Sequence, residues 1–344
     1  MIHHLDEHQL VDWQARFQLI LDARSPAEYA TDHLPGARNV PVLSDSQRVE
    51  IGILDRQDPF AARKRGVCYA LENLREFFGS PLLQDLPKQT NILVYCARGG
   101  QRSGALATVL SQTGFTVWRL QRGYKTYRAM VLNQLARPLP QPVFVLHGYT
   151  GSQKTRLLLS LAEEANVLDL EGCANHRGSL LGLVPGNRQP TQKEFETRVW
   201  QAINGFGGTK PTLIEGESRA IGKNQVPNPV WVQMVAGHHL WLDLPRAERV
   251  RFILEDYADL KDATYLEDRL TRLARYLPKK VIGELGAMAA EGDWRNFVTL
   301  LLETHYDPLY RKNLKRGGFE VFRCTNFQEA RAYLENRLRE PFDR

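Results

Sequence analysis

The chain has 344 residues, 43% hydrophobic and 24% charged, with a formal net charge of +6 at pH 7. That length accommodates two domains, each able to bury a core, and the balance of apolar and charged residues is that of an ordinary globular protein. No apolar run approaches the ~20 residues that cross a bilayer, and Met1-Ile-His-His-Leu-Asp-Glu-His8 carries acids rather than a signal peptide's apolar segment, so a cytoplasmic protein with no membrane partner is expected.

In chain order, Leu19–Asp22 reads as a short buried strand and Pro26 to Thr31 as a helix with Ser25 at its N-cap. The amphipathic stretch around Cys68 reads as a helix with the thiol packed inside. Ile92–Tyr95 is a second apolar strand, ending at Cys96. A helix from about Ser103 to Gln112, stopped by Gly114, and a strand over Thr116–Leu120 follow. Arg137-Pro-Leu-Pro-Gln-Pro142, with three prolines in five residues, favours an extended connector and divides the chain into domains at 1–137 and 138–344. Beyond it the candidate strands are Val143–Leu146, Val167–Leu170, Thr212–Ile214, Leu240–Leu242 and Glu320–Phe322. The segment from Arg246 to about Lys315 is helical in pattern and charged in both signs, an insertion before the last strand. Asn326–Arg339 closes the chain as an amphipathic helix. Strands alternating with helices in both halves predict two largely parallel α/β domains.

The segment Tyr95-Cys-Ala-Arg-Gly-Gly-Gln-Arg-Ser103 sets a cysteine between a strand end and a helix start. Gly99 and Gly100 let the backbone curl with its N–H groups inward, the helix N-terminus adds partial positive charge, and Arg98 and Arg102 add full charges. Such surroundings lower a thiol's pKa and hold an anion beside it. Cys96 is therefore the candidate nucleophile, with Arg98 and Arg102 as its catalytic partners. Cys68, Cys173 and Cys324 are scattered with no paired spacing, which argues against a disulfide framework and a zinc knuckle; Cys324 ends an apolar strand and is expected to be buried.

With Asp22-Ala-Arg-Ser-Pro-Ala-Glu-Tyr29, His33-Leu-Pro-Gly-Ala-Arg-Asn-Val-Pro41 and Leu120-Gln-Arg-Gly-Tyr124, this half resembles the rhodanese family. The resemblance implies a rhodanese-like α/β domain in which Cys96 carries the transferred atom. The loop arginine stands one residue further from the cysteine than in most sulfur-transferring rhodaneses, a wider cradle that either suits a larger atom or substrate or spoils simple thiosulfate chemistry.

Val143–Gly148 runs into Gly148-Tyr-Thr-Gly-Ser-Gln-Lys-Thr155 and then Arg156-Leu-Leu-Leu-Ser160, the strand, loop and helix of a P-loop. Main-chain N–H groups of Gly148, Thr150, Gly151, Ser152 and Gln153 wrap a phosphate, Lys154 neutralises it, and Thr155 reaches a metal ion or a further oxygen. Gln153 stands where the pattern has glycine, which bears on ATP use rather than on phosphate binding. Two polar loops follow later strands, Asp169-Leu-Glu-Gly-Cys-Ala-Asn-His-Arg-Gly-Ser179 and Glu215-Gly-Glu-Ser-Arg-Ala-Ile-Gly222. From these Glu171, His176, Arg177, Ser179, Glu215, Glu217, Ser218 and Arg219 are substrate-site candidates, and the acids suit Mg²⁺ beside a phosphorylated substrate. No metal site is indicated by cysteine or histidine spacing.

Taken together, Cys-Ala-Arg-Gly-Gly-Gln-Arg-Ser, the Gly-x-Thr-Gly phosphate loop, Asp-Leu-Glu…His-Arg-Gly-Ser and Glu-Ser-Arg-x-Ile-Gly resemble the bacterial tRNA 2-selenouridine synthase family over nearly the whole chain. The resemblance implies a transferase that replaces the sulfur of wobble 2-thiouridine in the tRNA anticodon with selenium from selenophosphate. It also implies attachment of a geranyl group from geranyl diphosphate to that sulfur on the way. Lys154, with Arg177 or Arg219, would then stabilise the leaving diphosphate, and Cys96 would handle selenium. The net positive charge permits a polyanionic partner, and Arg269-Leu-Thr-Arg-Leu-Ala-Arg275 is the candidate grip on tRNA. Two competing readings are an ATP-dependent rhodanese-type tRNA sulfurtransferase, which would turn over ATP with tRNA, and a non-enzymatic phosphate-sensing module, which has no need of Cys96 in a Gly-Gly cradle.

Overall fold

The computed structural model describes residues 1–10, 12–176, 188–256, 266, 270–271, 273–315 and 317–340. The chain separates into two compact units, Met1–Gln134 and Leu135–Arg344.

The first unit runs β1 (Ile2–Leu5), α1 (Trp13–Arg16), β2 (Leu19–Asp22), α2 (Pro26–Thr31), β3 (Ala37–Asn39), α3 (Asp45–Gln57), α4 (Pro59–Phe78), α5 (Pro81–Gln84), β4 (Asn91–Tyr95), α6 (Gln101–Gln112), β5 (Thr116–Leu120) and α7 (Tyr124–Leu135). Its five strands pair in parallel in the order β1-β5-β4-β2-β3. Helices cover both faces, so Ile92, Leu93, Val94 and Tyr95 of β4 are all fully buried and read as one apolar run rather than an alternation. Leu19, Leu21, Ile92 and Val94 pack on Leu106 and Leu110 of α6 and on Ala70 and Leu74 of α4. Ser25 donates its N–H to the Glu28 carboxylate at 3.1 Å and so closes the first turn of α2. Cys68 corrects the expectation of a packed thiol. It lies about 200° around α4 from Ala70, which is on the buried side, and is exposed.

The second unit runs β6 (Val143–Gly148), α8 (Lys154–Leu159), β7 (Asn166–Leu168), α9 (Leu170–Ala174), α10 (Gln192–Asn204), β8 (Thr212–Glu215), a small hairpin of β9 (Ala220–Ile221) and β10 (Asn224–Gln225), α11 (Asn228–Val235), β11 (His238–Asp243) and α12 (Arg246–Asp256). Helices Lys279–Ala290, Trp294–Leu301 and Asp307–Lys315 precede β12 (Glu320–Arg323) and the closing helix Phe327–Arg339. The parallel order is β12-β11-β6-β8-β7. Phe144, Leu146, Leu213, Leu240 and Leu242 turn to one face, against Leu157, Leu158 and Leu161 and against Ala330 and Leu334 of the closing helix. Val250 and Ile253 of α12 build a separate core with Phe297, Val298 and Leu301.

Both sheets are parallel and helix-covered, as the alternating pattern predicts. One strand is shorter than expected: β7 stops at Leu168 because the Asp169 carboxylate accepts from the Gly172 N–H at 2.7 Å and caps α9, so Leu170 begins a helix instead. The order places the chain's reversal at β6, and the crevice beyond the carboxyl ends of β6, β8 and β11 is where such sheets gather ligands. Arg269 and Arg272, of the segment expected to grip tRNA, lie outside the described residues. Among the described residues no helix is long and apolar enough to cross a membrane.

Candidate active sites

In the first unit Cys96 follows β4 directly and is 3% exposed. The turn after β5 holds its loop from behind: Tyr124 donates its N–H to the Cys96 carbonyl at 2.8 Å. Arg119 donates to the carbonyls of Gly99 and Gly100 at 2.7 and 3.0 Å. The two segments touch so closely that a Cβ on Gly123, at φ +58°, would stand 2.0 Å from the Cys96 oxygen. A Cβ on Gly99, at φ +67°, would stand 2.9 Å from Arg122 N. Cys96 Sγ lies 3.2 Å from Ser103 Oγ, whose hydroxyl also reaches the Gly100 carbonyl at 3.2 Å. Rotating that hydroxyl lets it donate either to the carbonyl or to a thiolate.

The two arginines fare differently. Arg98 is exposed at the rim. Arg102 donates to Glu28 at 2.5 and 3.4 Å, and Arg48 approaches the same carboxylate at 3.3 Å. Burial works against the Glu28 charge, but Arg102, the Ser25 N–H and Arg48 outweigh it and hold the carboxyl below its ordinary range. The expectation of a second arginine free to charge the cradle is thereby corrected: the charge of Arg102 is paired. Beneath the cradle Arg24 donates to Asp22 at 2.5 Å and to the Asp32 carbonyl at 2.7 Å. Its guanidinium lies 4.1 Å from the Tyr124 ring centre, and the Tyr124 hydroxyl donates to Asp32 at 2.7 Å. The Asp22-Ala-Arg24 motif is thus the floor of the cradle rather than part of its surface.

In the second unit the phosphate loop joins β6 to α8. Gly151 takes φ +79° and Gln153 φ +59°. A left-handed glutamine, 5% exposed, carries about 1–2 kcal/mol of backbone strain that glycine would not. α12 presses on this loop. A Cβ on Gly151 would meet Ile253 Cδ1 at 2.6 Å, and Arg249 donates to the Thr150 carbonyl at 3.1 Å while pairing with both Asp307 oxygens at 2.9 Å. Gly148 must also be bare, since a Cβ there would stand 2.6 Å from Ser152 Oγ.

Behind Lys154 stand three acids. Thr155 Oγ1 donates to Glu215 at 2.5 Å and lies 3.4 Å from Glu171. Glu171, Glu215 and Glu217 bring one carboxylate oxygen each within 4.8 Å of one another. Burial first, and mutual repulsion second, push the Glu171 and Glu215 carboxyls well above the usual range. Burial opposes the Lys154 charge, yet Tyr310, Glu217, Glu171 and Glu215 together hold its ammonium above the ordinary value. Three carboxylates and a hydroxyl form a hard-oxygen donor set whose raised carboxyls call for positive charge, and this fits Mg²⁺.

The other predicted residues are not all drawn in. His176 is half-buried and gives its N–H to the Glu171 carbonyl at 3.0 Å. Ser218 and Arg219 are exposed; the serine donates to the Ala220 carbonyl of the hairpin and the arginine to Asn228, the first residue of α11, at 3.1 Å. Arg177 and Ser179 lie outside the described residues. Burial and Asp169 push the Cys173 thiol up to about 12, which makes it a poor nucleophile.

Residues 141–340 match the family described as the tRNA 2-selenouridine synthase AAA domain, and residues 6–130 match the rhodanese-like domain. A tRNA 2-selenouridine synthase of Aeromonas salmonicida is 31% identical over 85% of this chain and 86% of its own length. One from Hydrogenovibrio crunogenus is 29% identical over 92% and 94%. The chain belongs to the tRNA 2-selenouridine synthase family. A rhodanese-related protein of Thermoplasma volcanium, of solved structure, is 19% identical over 36% of this chain and 89% of that one, with a TM-score of 0.24.

Sequence reasoning missed Arg249, Asp307 and Tyr310. Each acts on the phosphate loop from far along the chain, and a local window contains no signal for such a contact. Glu28 was missed as the partner of Arg102 for the same reason.

Proposed function

We infer that this protein is a tRNA 2-selenouridine synthase, replacing the sulfur of wobble 2-thiouridine with selenium from selenophosphate through an S-geranylated intermediate formed from geranyl diphosphate. The observation that carries the reading is that one chain of this family holds both a cysteine cradle and a lysine-bearing phosphate loop. The two co-substrates each present phosphate chemistry, so the loop serves without ATP, and a strained Gln153 is no obstacle. Lys154 would neutralise diphosphate as it leaves, a charge stabilisation worth most in a partly dry site. Glu171, Glu215, Glu217 and Thr155 would hold Mg²⁺, which supplies further neutralisation of diphosphate when bound.

The geranyl tail requires apolar walls. A cavity of about 800 Å³ opens beside α9, the helix that carries Glu171; Leu159, Val167 and Phe206 give it an apolar side, and Asp169, Arg198 and Lys210 a charged one. Cys96, with the Ser103 hydroxyl able to turn to its thiolate, is assigned to the selenium half of the reaction. tRNA is the partner by likeness to the named relatives, and the surplus positive charge suits it.

The test uses purified protein, tRNA bearing 2-thiouridine, geranyl diphosphate and selenophosphate, with digested nucleosides weighed by mass spectrometry. Geranyl diphosphate alone should give the geranylated nucleoside, and adding selenophosphate should give selenouridine. Lys154→Ala should lose both products, and Cys96→Ser only the second. Product that requires ATP would favour the sulfurtransferase reading instead.

A further inference from the structure

β6 and β11 carry two histidines side by side, on the face of the sheet opposite Phe144, Leu146, Leu240 and Leu242. His147 Nε2 lies 2.9 Å from His239 Nδ1, and His239 Nε2 lies 3.3 Å from the Val235 carbonyl. A carbonyl oxygen only accepts, so His239 Nε2 carries a proton, and in the neutral ring His239 Nδ1 is then an acceptor. His147 must therefore donate from Nε2, which leaves its own Nδ1 with a bare lone pair. The hydrogen-bond chain fixes both tautomers.

The setting of His147 keeps it neutral and in place. Burial, with His239 and then Lys154 adding like charge, pushes its pKa down to about 3. The Trp241 ring lies parallel to it at 6.4 Å, and Phe319 meets it edge-on at 5.0 Å. Gly216 packs against the ring, where an added Cβ would stand 2.5 Å from Nδ1 and 2.7 Å from Cγ. The bare glycine sets the imidazole against the Glu215–Glu217 segment, two of whose acids belong to the carboxylate cluster around Lys154. A neutral nitrogen base therefore stands beside the phosphate loop, and among the described residues its Nδ1 has no hydrogen-bond partner.

Alkylation of 2-thiouridine needs such a base. As the thiocarbonyl sulfur bonds to C1 of an allylic diphosphate, the C1–O bond breaks and diphosphate departs with the electron pair. The ring then forms a C2=N3 double bond and must lose the N3 proton. We propose that His147 is the general base that takes this N3 proton at Nδ1, and that His239 relays it outward. The proposal rests on the S-alkylation reading above. When Nδ1 gains the proton, the Nε2 proton of His147 passes to His239 Nδ1. His147 ends neutral, and the positive charge sits one ring further from Lys154, which repels it. His147 is the catalytic residue of this pair and His239 the positioning one.

Single-turnover geranylation, with protein in excess over thiolated tRNA, tests this against a second substrate that has passed the step: tRNA already carrying S-geranyl-2-thiouridine. His147→Gln keeps a donor toward His239 but no nitrogen base. It should slow geranylation by about 100-fold or more, while binding inorganic diphosphate like the wild type and converting pre-geranylated tRNA with selenophosphate at the wild-type rate. His147→Ala should behave alike, and added imidazole should restore its geranylation rate. Wild-type geranylation by His147→Gln overturns the proposal. So does an equal slowing on both substrates, which marks a structural role. If the wild-type protein forms no geranylated nucleoside yet makes selenouridine, the alkylation reading fails and takes the proposal with it.

Discussion

Gly123 shows how much one missing side chain contributes to the cysteine cradle. Its Cβ would overlap the Cys96 carbonyl at 2.0 Å, and its φ of +58° is unfavourable for any L residue. Gly36 has a comparable φ of +83° with no heavy atom within 4 Å of such a Cβ, so it separates backbone strain from steric clash. Gly36→Ala should cost about 1 kcal/mol. Gly123→Ala should cost several times that, lowering the unfolding temperature of the first unit and abolishing selenium transfer while geranylation persists. Equal unfolding temperatures for the two variants would remove the cradle contact from the explanation. Much of this residue-scale picture was legible: Cys96, its Gly-Gly loop, Lys154, Thr155 and both acid loops stand in short motifs that local chemistry explains. What was not legible lies across the chain. Arg102 reads as a free charge until Glu28, 74 positions away, is seen to take it.

At the scale of elements, α9 and β8 carry acids that the fold forces together beside the Lys154 ammonium. Glu171 and Glu215 have folded-state pKa values above their unfolded ones, so the folded state binds protons more tightly. Their contribution to stability is fully present below the ordinary carboxylate pKa of about 4.3 and is lost as pH rises through the raised values. His147 runs the opposite way: its folded pKa of about 3 gives stability that is present above its unfolded value and lost as pH falls toward 3. Comparing wild type with Glu215→Gln cancels the histidine. The unfolding temperature of wild type should fall more steeply than that of Glu215→Gln from pH 5 upward, about the carboxylate range. Mg²⁺ should raise the wild-type value at neutral pH and the variant's much less. Parallel curves with and without Mg²⁺ would contradict the charge assignment.

The elements themselves were legible where an apolar run is buried on both faces, as in Ile92–Tyr95 and Val143–Leu146. They were less so where burial leaves no stripe. α3 has no buried residue among its thirteen, so no periodic pattern marks it. At Leu170 an apolar residue continues the look of a strand, and the Asp169 cap, a local competitor for backbone N–H groups, turns the chain into α9.

For the whole molecule, the chemistry divides between the two units: a buried thiol in Met1–Gln134 and phosphate-binding charge in Leu135–Arg344. A protein built for sulfur transfer alone would need the first, and one built for nucleotide hydrolysis alone would favour a glycine at position 153. The presence of both in one family member is what makes exchange of one chalcogen for another on tRNA the fitting activity. The surplus of six positive charges fits a polyanionic substrate whose binding weakens as salt rises.

The most direct measurement is nucleoside mass spectrometry of tRNA from selenium-fed cells lacking this protein, complemented with wild type or with Cys96→Ser. Selenouridine and geranylated thiouridine should both be missing from the deletion strain and both return with the wild-type protein, while Cys96→Ser should return the geranylated nucleoside alone. Wobble nucleosides unchanged by the deletion would contradict the assignment.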